Sequence, residues 1–459
     1  MAGEVSKYAM ENAYKGVERD ALERTQPQEN PRAVILGGQP GSGKSELAGE
    51  AVREMRQSGG AVVIDADRMR EENPRYKQLS REDPQNAADR TQKEAGEWAT
   101  RLTMTAIEEK RNLVVDGTMR NPENIRELAT RLKEAGYDVE ARVMAVNPET
   151  SITRARLRFE EQVGERGTGR FVNQEQHDNA YAAIPRSVAA LEAEKLVDRI
   201  KVYDSNQRPV YENAQERGEW KKPPEAAQAL EQERGRDWSH AEKRDYVSAL
   251  EDIAALAKQR TQQPDKAIEG KLETARGELT RIEQSPEFQR AEAFNHLPKG
   301  EALAKHPELD GAYARLRDLR QQMSPTASQD ERERSYFAAR SELVNQLERG
   351  EVPKGSVTKA ESERVIDLAA EARGIRSVRD AGELQRDVKG EVVAASSQHA
   401  LVKLSDDVAV RFEKGNLDRD VKAGDKVAIQ YNAEKSQVYE QGKEPAKDQA
   451  RDTARDFAR

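Results

Sequence analysis

Ala33-Val-Ile-Leu-Gly-Gly-Gln-Pro-Gly-Ser-Gly-Lys-Ser45 joins a short apolar run to a glycine-rich turn that ends in Lys-Ser. The turn fills the pattern G-x-x-x-x-G-K-[ST] with Gly38, Gln39, Pro40, Gly41, Ser42, Gly43, Lys44 and Ser45. Glycines let the backbone curl, so that successive N–H groups point at one anion. Lys44 would reach the outer phosphates of a nucleotide, and the Ser45 hydroxyl would hold Mg²⁺. Val34, Ile35 and Leu36 read as a buried strand before the turn. Glu46 to Arg56 reads as a helix after it, with its N-terminus facing the anion. A glycine turn that binds nothing would not need strand, loop, Lys-Ser and helix in this order. The stretch therefore sets a phosphate-binding α/β fold and leaves the reaction open.

Further along, apolar runs recur at 61–64, 112–115, 141–146 and 200–203, mostly followed by turn or acidic residues and a helical stretch. Strands separated by helices predict a mostly parallel sheet flanked by helices. Such sheets bind ligands at the carboxyl ends of their strands, so the residues after each run carry the chemistry. Asp65 and Asp67 follow the second run. One carboxylate there suits a helix cap, the other a base that takes the proton of an acceptor hydroxyl. Asp67 is the better base, because Asp65 leaves the strand directly. Asp116, Thr118 and Arg120 follow the third run. Asp116 and Thr118 suit hydrogen bonds to a sugar or other polyol, and Asp116 equally suits a position near Mg²⁺.

Arg154 and Arg158 are spaced to share a helix face, ahead of the glycine-rich 163–169 and Arg170. Cations in a mobile lid would stabilise a phosphoryl group in transfer. The alternative is a solvated helix whose arginines pair with Glu160 and Glu161. With the phosphate loop in the same chain, the lid is the reading for Arg158 and Arg170.

These landmarks together resemble the zeta toxin family of toxin–antitoxin systems. The resemblance is carried by G-Q-P-G-S-G-K-S at 38–45, I-D-A-D at 64–67, N-L-V-V-D-G-T-M-R at 112–120, A-G-Y-D at 135–138, V-M-A-V-N at 143–147, L-R-F-E at 157–160 and H-D at 177–178. It implies a kinase that uses ATP and Mg²⁺ to phosphorylate the 3′-hydroxyl of the amino sugar of UDP-N-acetylglucosamine, which blocks peptidoglycan synthesis. It implies Lys44 and Ser45 at ATP and Mg²⁺, and Asp67 as base. It puts Asp116, Thr118 and Arg120 around the substrate, with Arg158 and Arg170 on the transferring phosphate. A cognate antitoxin protein is the implied partner, and the 1–25 segment is a candidate for a helix that blocks the site in cis. Familiar members carry Glu where this chain has Asp116, and a substrate-binding Glu on the preceding helix, where 101–107 has no acid. That departure keeps another acceptor in play: a nucleotide, an antibiotic or an RNA end.

The rest of the chain differs in composition. Of 459 residues, 36% are hydrophobic and 35% charged, so long charged helices are expected beside one well-packed domain. The expected order is an N-terminal helix at 1–30, the kinase domain at 31–220, charged helices at 221–385, a small β-barrel at 386–442 and a disordered tail at 443–459. The barrel segment weakly resembles the KfrB-type domain of plasmid-encoded proteins, a binding module. A plasmid-maintenance or conjugation adaptor with a phosphate-loop switch is therefore an alternative from another class. A net charge of −8 makes no whole-chain case for nucleic acid. The absence of cysteine excludes a disulfide framework, and no apolar run approaches a membrane span, as expected of a cytoplasmic protein.

Overall fold

The computed structural model describes residues 5–83, 86–322 and 328–442; the expected disordered tail at 443–459 lies outside them. The chain divides into two units, Met1–Gly277 and Glu278–Arg459.

The first unit is built on seven strands: β1 (Arg32–Gly37), β2 (Val62–Asp65), β3 (Leu113–Asp116), β4 (Asp138–Met144), β5 (Arg199–Tyr203), β6 (Pro209–Glu216) and β7 (Glu219–Trp220). Their order is β2-β3-β1-β4-β5-β6-β7. The ladders joining β2, β3, β1, β4 and β5 are parallel, and β6 and β7 add as an antiparallel edge. Strand β1 is apolar from Ala33 to Leu36 because both of its faces are covered there. Ala33 and Ile35 join a core with Leu102, Leu132, Ile184 and Leu191. Val34 and Leu36 join the opposite one with Leu47, Ala51 and Met55 of the helix Lys44–Met55.

Strand β4 begins three residues before the apolar run that marks it in sequence. Glu140 precedes the run and Arg142 interrupts it, and both are buried. Arg142 donates to Glu140 at 2.9 Å and to both oxygens of Glu54, so the buried charges compensate one another.

The unit also runs past the expected boundary at 220. The helix Ala226–Gly235 covers the first core with Ala226 and Leu230. The helix His240–Thr261 packs along the helix Pro148–Arg166. The N-terminal helix Lys7–Leu22 packs chiefly on β2 and on the helices Ala66–Glu72, Pro74–Glu82 and Gln92–Glu108, held by Tyr14 against Trp98.

In the second unit, helices between Pro286 and Ala372 enclose a core of Phe294, Leu303, Leu309, Leu316, Leu343 and Leu347. The remaining strands are β8 (Ser377–Asp380), β9 (Val388–Ala395), β10 (His399–Lys403), β11 (Val408–Glu413), β12 (Lys426–Gln430) and β13 (Gln437–Glu440). They form one sheet in the order β13-β12-β9-β10-β11-β8. The expected barrel is thus a separate six-stranded sheet, and among the described residues no ladder joins β8 to β13. One reason is β8, a polar strand upstream of 386 that adds parallel to β11 at an edge. Another is the helix Lys359–Ala372, whose Ile366 and Ala369 cover Leu401 and Ala409.

Candidate functional site

Residues 38–45 link β1 to the helix Lys44–Met55 as the glycine pattern requires. Gly43 is the residue before the helix, with φ at 92° and no side chain to cap it. The first-turn N–H groups therefore face an anion site. At Gly41 a Cβ would lie 1.9 Å from the carbonyl oxygen of Ser151, so only glycine lets the loop rest on that helix. The Ser42 hydroxyl is buried without a hydrogen-bond partner. Pro40 is half-buried and Ser45 exposed on the first helical turn.

The Lys44 ammonium turns back onto its own loop, donating to the Gly38 carbonyl at 2.8 Å and to that of Gln39 at 3.3 Å. Burial pushes it down to about 8; Arg170 and Arg158 push the same way, while Asp116 and Asp65 oppose. A glycine-rich loop, an orphaned hydroxyl and an ammonium spending itself on carbonyls fit a triphosphate. The exposed Ser45 hydroxyl fits its Mg²⁺.

The acids sit at the carboxyl ends of adjacent strands. Asp65 and Asp116 are register partners across β2 and β3. Asp65 is the helix cap: its Oδ1 accepts from the backbone N–H groups of Asp67 and Arg68 at 2.9 and 3.2 Å. Asp116 is raised above its usual range by burial, with Asp65 adding and Lys44 and Arg158 opposing. Asp67 is left free of capping, and its two oxygens meet Arg70 and Arg170. Arg70 is buried and also donates to Gln92 at 2.7 Å. This fixed cation beneath the carboxylate went unread in the sequence. Its signal was the i, i+3 spacing from Asp67.

Arg158 and Arg170 arrive from the lid. The helix Pro148–Arg166 ends at Gly167, whose φ of 72° turns the chain back. Gly169 then crosses so close that a Cβ would meet the Phe159 carbonyl oxygen at 2.8 Å. Phe171 stacks edge-to-face on Phe159, with centroids 5.3 Å apart, and the Arg170 N–H donates to Gln162. The fold-back carries Arg170 to Asp67. Burial lowers Arg170 from its ordinary value, and the Arg158 Nε is buried without a partner. Together Asp65, Asp67, Arg70, Arg158, Arg166 and Arg170 line a cleft of about 600 Å³.

Not every residue read from sequence enters that cleft. Arg154 lines a different pocket with Trp238 and Tyr246, so the shared helix face does not bring it to Arg158. Glu160 pairs with Arg156 and Arg260, which leaves Arg158 to the cleft. Thr118 and Arg120 stand at the end of β3 but do not line the cleft. Between them Met119 adopts φ 51° and buries its side chain against Gly37, which pins the loop. No protein atom crowds Gly117.

Residues 17–216 match the family model described as Zeta toxin, and 387–440 match the KfrB Domain. Toxin PezT of Streptococcus pneumoniae is 28% identical over 214 residues, 46% of this chain and 81% of that protein. Toxin zeta of Streptococcus pyogenes is 28% identical over 251 residues, 54% of this chain and 84% of that protein. A solved structure from the PezAT chromosomal toxin–antitoxin system of Streptococcus pneumoniae covers 56% of this chain and 98% of its own, at 23% identity and a TM-score of 0.46. The chain carries a zeta toxin domain of kinase-like α/β fold, followed by a KfrB domain.

Proposed function

We propose that the first unit is an ATP-dependent small-molecule kinase, and that it phosphorylates the 3′-hydroxyl of the amino sugar of UDP-N-acetylglucosamine. One observation carries the reading: Asp67, Arg158 and Arg170 line one cleft at the carboxyl edge of the sheet, and Lys44 lies close enough to feel the charges of Arg158, Arg170, Asp65 and Asp116. Gly38, Gln39, Pro40, Gly41, Ser42 and Gly43 form the curve that receives the triphosphate, with Lys44 on its outer phosphates. Mg²⁺ held by Ser45 would neutralise charge on the phosphate oxygens. Asp67 accepts the proton of the acceptor hydroxyl, with Arg70 fixing its carboxylate. As acceptor enters, Arg170 leaves Asp67 for the phosphoryl group, where it acts with Arg158. Asp116 binds the acceptor or lies near the metal, and Thr118 and Arg120 bind the outer part of the acceptor.

Toxin PezT and toxin zeta, the two relatives described above, both bear the name toxin. The proposal therefore extends to a toxin acting in the cytoplasm and checked by an antitoxin protein. The test is transfer of labelled phosphate from ATP to UDP-N-acetylglucosamine. Wild type should transfer it, and Asp67→Asn should lose about 10²–10⁴-fold in kcat. No transfer by wild type would sink the acceptor assignment. A different acceptor is the second reading, favoured because Thr118 and Arg120 stand outside the cleft. Transfer to a nucleotide, antibiotic or RNA end, and not to the sugar nucleotide, would establish it.

A further inference from the structure

Gln39 lies in the phosphate loop, yet both ends of its amide are committed elsewhere. Its Nε2 donates to the Val146 carbonyl at 2.8 Å and to the Ser151 hydroxyl at 3.0 Å. Its Oε1 accepts from Arg234 Nη2 at 3.0 Å. Arg234 comes from the helix Ala226–Gly235, beyond the residues that match the zeta toxin family. It is 2% exposed, and no carboxylate pairs with it among the described residues. Its other contacts are the Tyr181 carbonyl at 3.0 Å and the Tyr181 ring at 4.3 Å. Burying an unpaired cation is costly, and here hydrogen bonds and the Tyr181 ring offset it.

The other side of Gln39 is braced as well. Ser151 Oγ lies 2.8 Å from His177 Nε2, and His177 Nδ1 lies 2.9 Å from Asp178. With Nδ1–H donated to Asp178, Nε2 is left to accept from the serine hydroxyl. This resembles a nucleophile triad, but Ser151 and His177 are fully buried, so no substrate reaches it. It is a strut beneath the loop. The same Ser151 supplies the carbonyl against which Gly41 rests.

We propose that Arg234 is a positioning residue for the phosphate loop. With Ser151 it clamps Gln39 and so keeps Gly41 to Ser45 in the curve that takes the triphosphate. The inference rests on the kinase reading above. The clamp acts on the nucleotide and not on the acceptor, and that separates it from a general loss of fold.

The test titrates the full-length chain with a fluorescent ATP analogue and measures KM for each substrate. Arg234→Met should weaken analogue binding and raise KM for ATP about 10-fold, leaving KM for the acceptor in place. Arg234→Lys, which keeps one donor, should recover part of the loss. Gln39→Ala combined with Arg234→Met should be no worse than Gln39→Ala alone, because both break one contact. Should Arg234→Met fail to fold, Ser151→Ala deletes only a hydroxyl and should still raise KM for ATP about 3-fold. Unchanged analogue binding in Arg234→Met or in Ser151→Ala, or losses that simply add in the double variant, would overturn the clamp alone. Failure of wild type to bind the analogue would overturn the kinase reading and the clamp with it.

Discussion

Lys44 illustrates how single groups are tuned by their neighbours. With its ammonium held at about 8, part of the protein carries a neutral amine near that pH. Phosphate beside it favours the charged form, so nucleotide binding should take up protons. Calorimetric titrations at pH 8 in buffers of different ionisation enthalpy should reveal that uptake, and Lys44→Met should abolish it. Buffer-independent heats would contradict this account. Asp116 is the acidic counterpart. Its carboxyl is raised by burial, so the folded state binds that proton more tightly than the unfolded chain does. Stability from this group therefore falls as pH rises between the unfolded and folded values. Asp116→Asn should raise the melting temperature at neutral pH and lower phosphoryl transfer. The gain should vanish in acid, where both states are protonated. A neutral-pH melt at or below wild type would refute the assignment.

The lid and the loop are elements whose shape depends on missing side chains. Gly169→Ala would drive a Cβ into the Phe159 carbonyl and push Arg170 off its approach to Asp67. Such a displacement should cost about 10²-fold in kcat with little change in KM for ATP. Steady-state kinetics distinguishes this from Gly41→Ala, in which the loop itself collides with Ser151 and nucleotide binding should be lost. Similar kinetic profiles for the two variants would mean that lid and loop are not separate devices. The Asp67–Arg170 pair has a related meaning. On the proposed reading the lid is folded over the base, so that acceptor entry would exchange one partner of Arg170 for another.

For the molecule as a whole, the first unit extends past residue 216, where the family match ends. Ala226 and Leu230 complete its core, and Arg234 reaches its phosphate loop. A fragment spanning 1–277 should melt cooperatively and bind nucleotide. A fragment spanning 1–220 uncovers that apolar surface and leaves the Gln39 oxygen without its donor. It should be protease-sensitive and bind hydrophobic dye. Melting curves and limited proteolysis of the two fragments check this, and equal behaviour would return the boundary to 220. In the second unit β9 to β12 were legible, since short runs of Val, Leu and Ile mark them. Strand β8 was not, because Ser377-Val-Arg-Asp380 owes its conformation to pairing with β11.

Local chemistry alone specified the phosphate loop, the parallel strands beside it and the acids at their ends. A glycine-rich turn between a buried strand and a helix has one favourable geometry, and strand-terminal residues of a parallel sheet must share an edge. Asp65 as cap likewise follows from where the strand stops. Tertiary structure decided what faces what. Arg70 beneath Asp67, Arg154 turned away from Arg158 and Arg234 under Gln39 depend on contacts between segments far apart in the chain or on the exact rotation of a helix. Glu140 and Arg142 hide a strand for the same reason: their charges are tolerable only because Glu54 and Arg199 come from elsewhere to meet them. Burial of a charge is a property of its surroundings, and those exist only once the chain has folded.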